Sequence, residues 1–256
     1  TLISNYRDNA ALHVPSGAKL VITDESTGSL NATGGHLAAG IGGNNALNSG
    51  ENSGDVEIHG GTITAKSPYQ EDTGGAGIGG GWAGSNGSVT ITGGYVNASA
   101  TNGGAGIGAG YGWGRNGGKV TITGGTVIAN GAGRTTSYGA GIGGGSGNGD
   151  GGNVVITGGN VQAIAGDGAE AIGKGNGSGS SGTLKDSAGN DISLIEITLD
   201  GVSDKTSVTN IVVDGSTYGC KDVVTIGDKL YLYLPVGTKP TSVTAGGYTY
   251  VCYSNG

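Results

Sequence analysis

The sequence lacks phenylalanine and methionine entirely, and it holds only two tryptophans, two cysteines and four prolines. Charged residues make up 12% of its 256 positions, and lysine plus arginine number 12 against 19 acids, for a net charge of −7. Each scarcity excludes something. Without a run of about 18 apolar residues, nothing is long enough to span a bilayer as a helix. So few basic residues make a poor nucleic-acid binder, because phosphate contacts need Lys and Arg. The low proline content, with no glycine at every third position, excludes a collagen helix. No secretion signal opens the chain at Thr1-Leu2-Ile3, which is read as a mature or excised piece of something larger. Against these scarcities stand 61 glycines. An interior glycine costs a helix about 1 kcal/mol relative to alanine, so the abundant residue argues against helices as well.

What is present is a repeat. Ser88-Val89-Thr90-Ile91-Thr92-Gly93-Gly94-Tyr95-Val96-Asn97-Ala98 recurs as Lys119-Val120-Thr121-Ile122-Thr123-Gly124-Gly125-Thr126-Val127-Ile128-Ala129. Further copies centre on Ile58 and Ile156, and a degenerate one on Ile22. A second motif of the type Gly-Ala-Gly-Ile-Gly follows each copy, at Ile41, Ile78, Ile107, Ile142 and Ile172. Self-similarity with a period near 33 residues implies stacked supersecondary units, each able to bury its apolar face only against its neighbours. Val-Thr-Ile-Thr alternates apolar and polar residues, the period of a half-buried strand. Gly-Gly bends the chain, Thr-Val-x-Ala is a second strand, and Gly-Ile-Gly a short third.

The sequence therefore predicts an all-β fold: a parallel β-helix of about five to six coils with three short strands per coil. Right-handedness follows from the general preference of parallel crossovers. Val56, Val89, Val120 and Val154 form one expected inward column, Ile58, Ile91, Ile122 and Ile156 another. Ile63, Val96, Val127 and Val161 form a third, Ala65, Ala98, Ala129 and Ala163 a fourth. The five Gly-Ile-Gly isoleucines make the fifth. Outward positions such as Thr62, Tyr95, Thr126 and Asn160 are expected to face solvent. They form flat threonine-rich ladders, but Glu57, His59 and Tyr95 interrupt them, which argues against an ice-binding face.

Composition changes near residue 190. Residues 191–256 hold 8 of the 61 glycines but 6 of the 11 tyrosines. Residues 1–190 are read as the helix, with 1–19 as its N-terminal cap, and 191–256 as a small antiparallel β unit covering its open C-terminal end. Cys220 and Cys252 in that unit read as one disulfide, two free thiols being the alternative.

The run GAGIGGG…VTITGGTV resembles tandem repeats of right-handed β-helix regions in secreted or surface proteins of Gram-positive gut bacteria. It is also similar to the bacterial β-helical carbohydrate-binding family that carries TITGGT-type repeats. The match covers roughly residues 20–180 and implies an extracellular, secreted or cell-surface β-helix that binds glycans. In that family the repeat continues with an Asp-Gly-Ile-His-Ala-like segment whose carboxylates can hold calcium. Here Gly-Ala-Gly-Ile-Gly-Gly stands in its place, so those carboxylates have no counterpart.

Functional candidates lie in the loops around the Gly-Ile-Gly strand. Trp82 in one coil and Tyr111, Trp113 and Arg115 in the next occupy loops after the strand. Tyr69, Glu71 and Asp72, and later Arg134 and Tyr138, occupy loops before it. Aromatics one coil apart would make a platform for sugar rings, so these nine residues are the expected ligand-binding set, taking a polysaccharide or host glycan. The alternative for the aromatics is that they cover glycine-rich backbone. No catalytic group, metal or cofactor is expected: His13, His36 and His59 lie in different coils without metal-ligand spacing. Neither a nucleic-acid partner nor membrane insertion is expected, and the chain reads as a monomer within a larger multidomain protein. The competing functions are a ligand-free stalk of an adhesin and a glycan-cleaving enzyme using Glu71 or Asp72, which would need a second carboxylate about 5–10 Å away.

Overall fold

A computed structural model describes residues 1–45, 51–68, 73–101, 103–131 and 137–252. No α-helix occurs among them. The predicted repeat is a parallel β-solenoid of about five coils. First strands form at Lys19–Ile22, Asp55–Ile58 and Ser88–Ile91, and second strands at Ser29–Thr33, Thr62–Ser67 and Tyr95–Ala100. In coils 4 and 5 the two merge across the Gly-Gly bend into Lys119–Asn130 and Asn153–Ile164. These long strands join both faces into one ten-stranded sheet. Third strands are two residues long, at Ile41–Gly42, Ile78–Gly79, Ile107–Gly108, Ile142–Gly143 and Ile172–Gly173.

Register follows the sequence repeat residue for residue except at the bend between Lys119–Asn130 and Asn153–Ile164, where Thr123 pairs with Gly158 instead of Thr157. Val56 pairs with Val89, Ile91 with Ile122, Val127 with Val161 and Ile107 with Ile142. The five inward columns are buried within one core cluster, with only Ala163 and Ile172 partly exposed at the last coil. Stacking like on like every 4.8 Å or so lets a chain that is 34% hydrophobic build a continuous core. The expected N-terminal cap is itself part of a coil. Leu2–Ile3 pairs with Ala32 and Thr33, and Leu12–His13 pairs with Ile41 and Gly42 as the edge of the six-stranded sheet of third strands.

The C-terminal unit pairs antiparallel. Ile192–Thr198 lies against Lys229–Pro235, while Val208–Val213 lies between Ser216–Thr217 and Pro240–Ala245, with Tyr248–Val251 at the edge. It has its own core, centred on Leu199, Ile211, Leu230, Leu232 and Val243. Only Ile192 and Tyr233 join the core of the helix as an end cover. The rest of the contact is lateral: the unit folds back along the flank at the Gly-Gly bends. The N–H of Gly125 donates to the Lys221 carbonyl, that of Gly159 to the Gly219 carbonyl, and that of Gly94 to the Asp222 carboxylate. The Lys205 ammonium sits 4.9 Å from the centre of the Tyr95 ring.

This docking overturns one outward ladder. Thr62 remains exposed and Tyr95 half-buried, but Thr126 and Asn160 are fully buried. Their side chains bond the backbone of the docked unit instead of water, Thr126 Oγ1 receiving the Val224 N–H at 2.8 Å. The disulfide is also corrected. Cys220 and Cys252 are free thiols. Cys220 follows Ser216–Thr217 at one edge of the four-stranded sheet and Cys252 follows Tyr248–Val251 at the other. Three inter-strand steps of about 4.8 Å exceed the Cα separation of about 7 Å that a disulfide bridges.

The unit carries an alkaline signature. The buried Tyr218 hydroxyl donates to the Tyr233 carbonyl at 3.4 Å. Burial pushes the Tyr233 hydroxyl up to about 12, and Tyr218 is raised further. A tyrosine whose folded pKa is raised contributes stability that is whole below its unfolded pKa, near 10, and is lost as pH rises through the folded value. We expect the unit to lose stability between about pH 10 and 12, with these two tyrosines ionising only as it opens. Tyrosinate absorbance followed beside circular dichroism checks this; eleven tyrosines titrating together near pH 10 in an intact fold would contradict it.

Candidate functional site

The loops around the third strand are built by one repeated hydrogen bond. In each coil the residue four after the core isoleucine donates its N–H to the carbonyl four before the equivalent position of the preceding coil. Asn45 donates to Asp8 (2.8 Å), Trp82 to Leu37 (2.7 Å), Tyr111 to Gly74 (2.9 Å), Ser146 to Gly103 (2.6 Å) and Asn176 to Tyr138 (2.9 Å). Loops before and after the strand are therefore stitched together along the solenoid.

That stitch sorts the aromatic candidates. Trp82 is level with Tyr111, not with Trp113. Trp82 is half-buried, and its Nε1 is buried with no hydrogen-bond partner among the described residues. The Tyr111 ring lies against Gly103, where a Cβ would approach its Cδ2 to 2.8 Å. The Tyr138 ring lies on Gly166, where a Cβ would come within 2.1 Å of Cδ1. The rings of Tyr111 and Tyr138 thus cover glycine backbone, and Trp82 packs half-buried in its loop. Trp113 is different: it is 76% exposed. Gly112 (φ +149°) and Gly114 (φ +64°) flank it, two backbone states that turn the loop outward and that side chains resist. The base of this loop is fixed by Ala83 N–H to the Tyr111 carbonyl (2.6 Å) and Gly112 N–H to the Ser146 carbonyl (3.0 Å). Arg115 is half-buried, and its carbonyl accepts the Asp150 N–H at 2.9 Å. Tyr69, Glu71, Asp72 and Arg134 lie outside the described residues.

Beyond Trp113 the same loops form a polar column whose members residue type alone does not mark. Asn52, Ser85, Asn116, Asp150 and Ser180 succeed one another coil by coil. The Asn52 Oδ1 accepts the Ser85 N–H at 2.8 Å, the Ser85 Oγ the Asn116 N–H at 3.0 Å, and the Asp150 Oδ1 the Ser180 N–H at 2.7 Å. A shallow cleft of about 340 Å³ opens there, lined by Asn116, Lys119, Asp150, Asn153 and Ser180. Two residues of loop, Gly114 and Arg115, separate Trp113 from Asn116, a span of at most about 11 Å. Their signal in the sequence is spacing alone: successive members are about one repeat period apart.

The carboxylates near the loop edge are engaged. Glu51 meets His13 at 2.9 Å and Asp55 accepts the Ser88 hydroxyl at 2.7 Å. Glu57 pairs with Lys19 at 2.7 Å, and chiefly this hydrogen bond holds its carboxyl below the usual range. A general acid needs its pKa raised, so Glu57 is unsuited to protonating a glycosidic oxygen. Among the described residues no group of three or more His, Cys, Asp or Glu could hold a metal ion.

A family profile described as Beta helix repeat matches residues 26–45, 56–82, 89–111 and 120–146. No curated protein and no solved structure matches the chain. The matched stretches fall on coils 1 to 4, and each ends at that coil's stitching residue. With the parallel register of every coil, they make this chain a β-helix repeat protein.

Proposed function

We propose that the chain is a non-catalytic, extracellular carbohydrate-binding module of a secreted or surface protein, which takes a polysaccharide or host glycan at the corner of coils 3 to 5. The observation that supports this is Trp113, the more exposed tryptophan, on a loop whose base is fixed by backbone hydrogen bonds, a few residues from a cleft of Asn, Asp and Lys side chains. Sugars present apolar C–H faces and hydroxyl edges together, and a flat indole next to amides and a carboxylate matches both. An exposed tryptophan on a loop anchored by backbone hydrogen bonds also loses little entropy on binding. The site therefore differs from the nine-residue set expected from sequence: Trp113 carries it, with Arg115 beside it, while Trp82 serves the fold.

Affinity electrophoresis through gels containing plant, microbial and mucin polysaccharides tests this. Trp113→Ala is expected to cost at least about 2 kcal/mol of binding, roughly 30-fold, as removal of a tryptophan anchor does. Its stability should stay within about 0.5 kcal/mol of the parent. Trp82→Ala should behave oppositely, losing about 1–3 kcal/mol of stability through lost packing and retaining the retardation. No retardation by any polysaccharide would leave the stalk as the function.

A further inference from the structure

The antiparallel unit leaves two strand edges unpaired, and both border one groove. Among the described residues, Ile192–Thr198 pairs only with Lys229–Pro235, and Tyr248–Val251 only with Pro240–Ala245. The phase of each ladder is fixed by the hydrogen bonds that continue it. Leu199 donates to Asp228 and Val236 to Asp191, so the odd-numbered residues of the first strand face Lys229–Pro235. The N–H and C=O groups of Leu194, Glu196 and Thr198 therefore point away from the sheet. Cys252 donates to Thr241, so in the second strand the outward groups are those of Thr249 and Val251. None of these five backbone positions has a hydrogen-bond partner among the described residues.

A groove of about 830 Å³ lies between these edges. Its floor is the open side of the unit's core, where Ile195, Ile197 and Tyr250 are only half-buried. Val251 on its lining is 59% exposed, and Leu194, one residue before that lining, is 47% exposed. We propose that the groove takes an extended peptide strand of a partner protein, added by backbone pairing, with alternating apolar side chains and a basic residue at one end. Unpaired donors and acceptors on both walls supply the pairing, and the half-buried isoleucines receive the alternate side chains. Concavity favours an inserted strand over a second copy, because each copy's edge strands wall its own groove and cannot lie flat against their counterparts. The basic residue follows from charge: Asp200 and Asp214 are exposed on the groove's lining against the single Lys239.

The probe is a fluorescein-labelled octapeptide of alternating valine and threonine with a lysine at one end, titrated with the whole chain by fluorescence anisotropy. Saturable binding is expected. Leu194→Pro removes one outward N–H without touching the ladder to Lys229–Pro235, and it should weaken binding by about tenfold or more. Val251→Lys, at a site exposed enough not to disturb folding, should do the same. A peptide of identical side chains, N-methylated at alternate residues, should fail to bind, and Trp113→Ala should leave binding intact. Absence of saturable binding overturns the proposal. So does equal binding by the N-methylated peptide, which would mean apolar adsorption. A concentration-dependent dimer in sedimentation velocity that Leu194→Pro dissolves also overturns it, placing a second copy on this edge.

Discussion

Gly79→Ala should destabilise the solenoid by about 4 kcal/mol or more, a loss outside the usual range for a single methyl group. Gly79 has φ +136°, a conformation closed to L side chains, and a Cβ there would lie 2.0 Å from the carbonyl oxygen of Gly108 in the next coil. The obstacle is backbone, so no rotamer change relieves it. That carbonyl also receives the Gly80 N–H at 3.0 Å, so moving it aside breaks a stitch. The same approach recurs up the column, at 2.0 Å from Gly42 to Gly79 and 1.9 Å from Gly108 to Gly143. In a solenoid each coil's stability depends on its neighbours, so a fault in the middle costs two interfaces. Gly28→Ala is the control: a Cβ there meets nothing within 4 Å, and its φ is ordinary. It should be neutral or stabilising by up to about 1 kcal/mol. Denaturant melts of both variants check the contrast. A Gly79→Ala protein within 1 kcal/mol of the parent would show that the third strands have room to part.

Asn160→Ala should cost about 3 kcal/mol and loosen the antiparallel unit from the flank. Asn160 is fully buried, and its side chain closes the seam from the solenoid side. Its Nδ2 donates to the carbonyls of Val224 (2.8 Å) and Lys229 (3.4 Å), and its Oδ1 accepts the Tyr231 N–H at 2.7 Å. Alanine leaves the Tyr231 N–H buried without a partner. The Val224 carbonyl keeps the Thr126 hydroxyl at 3.2 Å, so its loss is partial. Burying an orphaned amide costs about 1–3 kcal/mol, and the void left by the side chain adds to it. Hydrogen exchange reads the result: amides of residues 219–224 should exchange faster, while those of Ile91 and Ile122 in the solenoid core stay protected. Equal acceleration everywhere would mean that the two parts unfold as one.

The solenoid was legible because each inward column repeats in the sequence what it repeats in space. Val89 over Val56 and Ile122 over Ile91 need no partner outside the repeat to explain them. The flank was illegible for the opposite reason. Thr126 and Asn160 occupy the same repeat position as Thr62 and Tyr95, and nothing local marks them as buried. Their partners lie 98 and 64–71 residues away, in a segment without the repeat. The loop site was half legible. Aromatic residues were the right chemistry, but residue type aligned Trp82 with Trp113, where counting from the core isoleucine aligns it with Tyr111. The polar column beside Trp113 went unseen because Asn, Ser and Asp in a glycine-rich loop look like ordinary turn residues.

The stitching hydrogen bond has a consequence for how this chain can change length. It ties the fourth residue before each core isoleucine to the fourth residue after the next one, which fixes a nine-residue frame around every isoleucine. Between successive frames the length varies: the isoleucines at 41, 78, 107, 142 and 172 are separated by as few as 29 and as many as 37 residues. Insertions and deletions can accumulate in the loops that join those frames to the first and second strands without shifting a core contact, whereas one residue gained or lost inside a frame or a strand would put its donors and acceptors out of phase. Such a molecule can lengthen by whole coils or by decorating its loops. The loop bearing Trp113 begins just outside its frame, where sequence can vary at least cost to the fold.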